Sequence, residues 1–375
     1  MNQIKIPCSI LRGGTSKAVF IMKNELPSDP EIRDKVILAI FGSPDIRQID
    51  GLGGADPLTS KLAIIGPPTR KDADIDYTFA QVGVTSPIVD YSGNCGNISS
   101  AVGPYAIDKG LVHVTEPVTV VRIHNTNSGN IITAEVPVVN GKSAVEGNLS
   151  IDGVPGEGAQ IKMDWSDTMG AFTGKLFPTG NVKDLIDFKG NKIEVSIVDA
   201  ANLFFFCKAS DLGLKGTETP EEIDSDATLL KSLEDLRKKV SKLILGRVSP
   251  IFPCLIFCCK PTSYKTYTGK TIRAEDVDVV CRMMFMGMMH KAYAGTATVA
   301  TAVAAKTEGT VVNDLAPSET KTRIEVRIGH PAGIIVGESV VMKRGSEFTV
   351  KRAVFYRTAR WIMDGTVFVR QSVFK

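Results

Sequence analysis

The amino-acid sequence predicts an α+β fold of two pseudo-symmetric domains, each a β-sheet rolled around one central buried helix. Three observations carry this. Most segments with clear periodicity alternate as strands do. Two stretches, Tyr91 to Ile107 and Ala292 to Ala305, carry no charge and consist largely of small residues. These stretches, and the strand-like segments after them, recur about 200 residues apart, as Cys95 to Gly295, Gly110 to Gly309 and Arg122 to Arg327.

The strands follow from period two. Ile4 and Ile6 alternate with polar neighbours, as do Ile75, Tyr77 and Phe79, then Ile132, Ala134 and Val136, then Ile324, Val326 and Ile328. The apolar runs Leu203 to Phe206, Pro253 to Cys259 and Val367 to Val369 read as buried strands. The two uncharged stretches read as helices. Each opens on glycine in a tight turn and ends on a lysine with a glycine after it, Lys109-Gly110 in one and Lys306 before Gly309 in the other. A helix without a polar face must be buried all round, and these are too short to span a membrane. A curved sheet wrapped around each is the simplest solution. Pro104 predicts a kink or break in the first. Phe177 to Asn181 reads as the linker, giving domains at 1–180 and 181–364. Pro220 to Leu245 reads as one amphipathic helix capping a core. Leu229, Leu230, Leu233, Leu236, Val240, Leu243 and Ile244 form its apolar stripe.

Composition narrows the function. The 375 residues are 43% hydrophobic and 23% charged, ordinary for a globular protein, and the 34 glycines suit a turn-rich β structure. Forty-four basic against 41 acidic residues argue against nucleic acid or an anionic membrane as partner. Met1 to Pro7 is strand-like and lacks the basic and apolar regions of a signal peptide. The seven cysteines form no zinc-like pair of pairs, and the four histidines show no HxxxH or HxH spacing. The expectation is a reduced, cytoplasmic protein without a structural metal, compatible with a homo-oligomer.

Three loops could carry chemistry. In Tyr91-Ser92-Gly93-Asn94-Cys95-Gly96-Asn97 the glycines flanking Cys95 let the chain turn sharply into a helix. The first-turn N–H groups then offer an anion site, and that helix end favours a thiolate at Cys95. The plainer alternative is a small cysteine buried in a tight turn. Arg12-Gly13-Gly14-Thr15-Ser16-Lys17 places two hydroxyls after two glycines and can donate to an anion. It lacks P-loop spacing, and a hairpin turn explains it equally well. Gly51 to Lys61 is a third glycine-rich loop, ending where an apolar strand begins. Lys61 is either solvated or, in a dry cleft, shifted down towards a pKa useful for acid–base work. No dinucleotide fingerprint is present. In the second half, the methionines of Met286-Gly287-Met288-Met289 read as core filler. His290 is structural or substrate-orienting. Gly295-Thr296 falls at the place of Asn94-Cys95, offering donors to an anion but no second thiol.

In combination and in this order, RGGTSK at 12–17, GGADPLTSK at 53–61, GNCGN at 93–97 and MGMMHKA at 286–292 resemble the 2-methylaconitate isomerase and 3-methylitaconate Δ-isomerase family, which includes 4-oxalomesaconate tautomerases. The resemblance spans nearly the whole chain. It implies the diaminopimelate epimerase fold, with the active site between the domains and a C-terminal strand, about 365–375, returning to the first domain. It implies Cys95 and Lys61 as the catalytic pair. Substrate carboxylates would be held by Thr15, Ser16, Asp56, Thr59, Ser60, Asn94, Gly96 and Asn97, and by His290, Gly295 and Thr296 in the second half. The two-cysteine racemases of that fold carry a thiol on each central helix, which this chain does not. The implied activity is a cofactor-independent shift of a proton, and of a C=C bond, in a small unsaturated di- or tricarboxylic acid. An epimerase or keto–enol tautomerase of the oxalomesaconate type and a non-catalytic carboxylate-binding protein stand as alternatives.

Overall fold

A computed structural model describes residues 2–345 and 347–375, which form two compact units. Unit 1 comprises the chain up to Met163 together with Arg357–Lys375; unit 2 is the continuous stretch Asp164–Tyr356.

In unit 1 the uncharged segment forms the helix Gly96–Asp108, buried from Gly96 to Ile107. The strands around it run in the order Ala359–Arg370, Gln3–Gly13, Ser16–Met22, Lys61–Gly66, Ile75–Val82, Val118–Asn125 and Asn130–Val139. Ser16–Met22 with Lys61–Gly66, and Ile75–Val82 with Val118–Asn125, are parallel pairs; the others are antiparallel. The helix has only small residues to offer, so strand and helix approach closely. A Cβ at Gly103 would lie 2.7 Å from Val136 Cγ2. Tyr105 supplies bulk, stacked between Phe20 at 5.2 Å and Trp361 at 5.5 Å. Pro104 lies inside the helix without ending it. An outer helix, Pro30–Phe41, is capped by Asp29, whose side chain accepts from Glu31 N and Ile32 N. It buries Val36, Ile37, Ile40 and Phe41 against the sheet.

Unit 2 repeats this wiring. Its strands run Asn191–Ala200, Asn202–Lys208, Cys254–Cys259, Val279–Phe285, Glu325–His330 and Gly333–Arg344. The parallel pairs fall at the same two places. The helix Gly295–Lys306 is buried from Gly295 to Ala305. The registers superpose as well: Ala18 pairs with Lys61 in unit 1, and Phe204 with Cys254 in unit 2.

Four sequence expectations are adjusted. The central helices begin at Gly96 and Gly295 with Cys95 and Ala294 as their N-caps, so Thr296 corresponds to Asn97, not to Cys95. Pro220 to Leu245 is two helices, Pro220–Asp224 and Ala227–Leu245, because the Asp226 side chain accepts from Leu229 N and starts a new helix. Met286 and Met288 are exposed, whereas Met289 is buried. Met286 and Gly287 both have positive φ and form the tight turn between Phe285 and Met288, which puts Met286 and Met288 at the surface. The units divide at 163/164, ahead of the linker read at 177–181. The intervening segment is bound to unit 2: Trp165 stacks on Phe355, and Asp199 accepts from Phe172 N and Thr173 N. Among the described residues no helix is long and apolar enough to cross a membrane.

Candidate active site

Lys61 opens an inner strand of unit 1, between Ala18 on one side and Gln81 on the other. It is 3% exposed, with its ammonium 5.4 Å from the Phe79 ring centroid. The Gln81 amide NH₂ donates to the carbonyls of Pro57 (3.1 Å) and Ser60 (3.0 Å), which turns Oε1 towards Lys61. Lys61 Nζ donates to that oxygen at 2.6 Å. Burial lowers the lysine pKa, and the charges of Cys95 and Asp56 oppose the shift. Gln81 Oε1 favours the ammonium form, so Gln81→Leu should lower the Lys61 pKa further. The lysine limb of the pH–kcat profile then moves to lower pH by about one unit. An unchanged limb in Gln81→Leu would show that this hydrogen bond does not tune the lysine.

The loop before Lys61 is held from within. Gln48 Oε1 accepts from Ala55 N and from Ser60 Oγ, both at 2.7 Å. Asp56 Oδ1 accepts from Leu58 N at 2.8 Å, and its carbonyl accepts from Thr59 N and Thr59 Oγ1. Thus the Ser60 and Thr59 hydroxyls shape the turn that presents Lys61, and Asp56 acts on the lysine through its charge.

Cys95 is the N-cap of the first central helix, and its side chain makes no capping hydrogen bond. The capping work falls to neighbours. Asn94 Oδ1 accepts from Cys95 N at 2.7 Å, and the Cys95 carbonyl accepts from Ser99 N and Ser99 Oγ. The half-buried thiol is therefore left for other use, and the N–H groups of Gly96, Asn97 and Ile98 have no acceptor within the helix.

The Arg12–Lys17 loop lies against the same helix end. A Cβ at Gly13 would sit 2.3 Å from the Asn97 carbonyl oxygen. Gly14 has φ +50°, and a Cβ there would lie 2.2 Å from Asn97 Oδ1 and 2.8 Å from Arg357 Cδ, so only glycine fits. Arg12 Nη1 clamps the loop by donating to the carbonyls of Gly14 and Thr358. Asn97 bridges it, its Nδ2 donating to Thr15 Oγ1 at 3.1 Å and its Oδ1 accepting from Arg357 Nε at 2.8 Å. Ser16 is 3% exposed, and its Oγ has no hydrogen-bond partner among the described residues. Arg357 is 2% exposed; burial lowers its pKa, opposed by the charge of Cys95, and leaves it a cation at neutral pH.

Unit 2 carries the remaining candidates. Gly295 and Thr296 open its central helix, and Thr296 Oγ1 accepts from Asn202 Nδ2 at 3.1 Å. His290 is buried, and its Nδ1 accepts from Ala292 N at 3.1 Å, which places the ring proton of the neutral form on Nε2.

Gln81 and Arg357 were not among the residues singled out in the sequence. Gln81 continues the inward series Ile75, Tyr77, Phe79, and a polar side chain at the next inward position was a readable signal. Arg357 has none, since its partner Asn97 lies 260 residues away.

Comparison with known proteins agrees with the architecture. The family described as PrpF protein matches residues 3–370. The 3-methylitaconate isomerase of Eubacterium barkeri is 53% identical over 380 residues, covering 99% of each chain. A crystal structure of methylitaconate-delta-isomerase superposes with a TM-score of 0.81 at 52% identity, covering 100% of this chain and 98% of that one. A hydroxyproline epimerase from Agrobacterium vitis shares the diaminopimelate epimerase-like fold at a TM-score of 0.62 and 11% identity, covering 99% of this chain and 93% of its own.

Proposed function

The chain belongs to the PrpF protein family, and from that premise we propose that it shifts a proton, and with it a C=C bond, in a small unsaturated di- or tricarboxylic acid of the methylitaconate or methylaconitate type. It is an enzyme of the isomerase class. In this reading Cys95 and Lys61 are its acid–base pair, it works without a cofactor, and it acts in the reducing cytoplasm, where Cys95 stays a thiol.

The observation that carries the reading is Lys61. It is a buried lysine with a lowered pKa, held by Gln81 and subject to the charge of a cysteine whose thiol caps no helix N–H. One of the pair removes a proton from the carbon next to a carboxylate. The negative charge left behind spreads over the carboxylate and the double bond, and the N–H groups of Gly96, Asn97 and Ile98 are donors for it. The second member returns a proton at the far end of the allylic system, which moves the double bond. Ser16 Oγ, buried and unpartnered among the described residues, is a further donor for substrate. Where a two-thiol racemase needs a second cysteine, the second central helix has Ala294 as its N-cap, which favours proton movement between different carbons.

The test is proton NMR of the purified protein in deuterated water with 3-methylitaconate, 2-methylaconitate and 4-oxalomesaconate. Migration of the double bond in one acid, with deuterium entering at the new C–H, is expected. Exchange without migration would replace this reading by a tautomerase or epimerase, and no exchange with any of the three would remove it.

A further inference from the structure

We propose that Cys258 and Cys281 form an oxidative modification site, at which a hydroperoxide joins the two thiols as a disulfide between neighbouring strands of unit 2. The proposal does not depend on the reaction assigned to Cys95.

Register, not nearness in sequence, brings the two sulfurs together. The strands Cys254–Cys259 and Val279–Phe285 run antiparallel, with Cys258 directly opposite Cys281. Opposed residues of such a pair share a face. Their Cα atoms lie about 4.5–5.5 Å apart, inside the span of about 4.4–6.8 Å that a disulfide bridges. The sulfurs are 3.3 Å apart. Both residues are fully buried, so each sulfur has the other as its neighbour in the core. Strand alternation sets Cys259 aside: it turns to the opposite face, against Tyr264, Ile272, Val277 and Val280. Tyr293, whose hydroxyl meets Thr301 Oγ1 of the second central helix at 2.8 Å, lies beside Cys281. A bond here therefore fixes two strands of the sheet that surrounds that helix. Burial and the adjoining sulfur raise the Cys258 thiol and keep it protonated at neutral pH. Reaction waits on local opening of the strand pair, and Cys95, half-buried at its helix mouth, is the readier target for an oxidant.

The step needs one hydroperoxide. One sulfur attacks the peroxide, breaks its O–O bond and becomes a sulfenic acid, releasing one water when the oxidant is hydrogen peroxide. The second sulfur attacks the first, forms the S–S bond and expels the sulfenic oxygen as another water. Both thiol protons leave in these waters; each sulfur loses one electron and the peroxide gains two. The bond closes a loop between residues 23 apart in sequence, which constrains the unfolded chain more than the folded one.

The test treats the full-length protein, as wild type and as Cys95→Ser, with hydrogen peroxide, then alkylates it unreduced in denaturant and maps the peptides by mass spectrometry. In both forms the peptides bearing Cys258 and Cys281 should be found linked and lighter by two hydrogens. Dithiothreitol should open the bond about tenfold or more slowly in the native protein than in guanidinium. Oxidised Cys95→Ser should melt about 5–10 °C above its reduced form, and Cys281→Ala should abolish that shift. Both thiols still alkylated after oxidation, or Cys258 linked instead to Cys207 or Cys259, would overturn the proposal. So would a linked protein that melts no higher than the reduced one. If Cys281→Ala does not fold, the peptide map and the melts of the other two forms decide the matter alone.

Discussion

Lys61→Ala is expected to lose about 10³-fold or more in kcat while keeping most of its affinity for substrate. The side chain is buried against Gln81, so a base or acid from solvent is a poor replacement. The variant should still fold. Truncation orphans Gln81 Oε1 at a cost of about 1–3 kcal/mol, and removing a desolvated cation offsets part of it. The same burial has a sign in pH. Below the lowered pKa both folded and unfolded chains carry the proton, and the full cost of burying the ammonium is felt. Between that pKa and the ordinary value of 10.5 the unfolded chain binds more protons, so stability gains from Lys61 as pH rises through this window. Lys61→Ala lacks the gain, which thermal melts across the alkaline range will show. A variant with near wild-type kcat would remove Lys61 from the chemistry.

Cys95→Ser should be nearly as damaging, with kcat down about 10²–10⁴-fold, because a serine hydroxyl keeps its proton at neutral pH and exchanges it poorly with carbon. The effect reaches Lys61 too. The charge of Cys95 supports the lysine cation, so its loss lowers the Lys61 pKa and moves any residual activity limb to lower pH. Solvent deuterium exchange should disappear with turnover. A fully active Cys95→Ser enzyme would end the two-residue mechanism, whereas loss of migration with exchange retained would make Lys61 the exchanging base.

The central helices were legible because each lacks charge over its whole length, a property only burial explains; they occupy Gly96–Asp108 and Gly295–Lys306. The strands read from alternation also stand, from Gln3–Gly13 to Glu325–His330. The correspondence between the copies was misjudged by two residues. Glycines flank Cys95 on both sides, and composition cannot say which glycine starts the helix. Lys61 is the instructive case among the site residues. Taken alone it reads as a solvated lysine, and only the motif around it pointed inward. Its burial depends on Ala18 and Gln81 across two strand pairs, one of them parallel, and no local window contains that. Arg357 is further removed, reaching Asn97 only through the return of the final segment.

That return sets an order of assembly. Unit 2 is continuous, so every strand it needs has been translated once Tyr356 is made. Unit 1 begins at the other end of the chain, yet its first strand, Gln3–Gly13, takes Ala359–Arg370 as its neighbour along eleven register pairs. Until those residues emerge, Gln3–Gly13 has an open edge, and the mouth of the helix behind Cys95 lacks both Arg357 and the Thr358 carbonyl that holds Gly14. Closure of unit 1 therefore waits on a segment made after unit 2: the half bearing the reactive thiol is completed only once the whole of the other half has been translated.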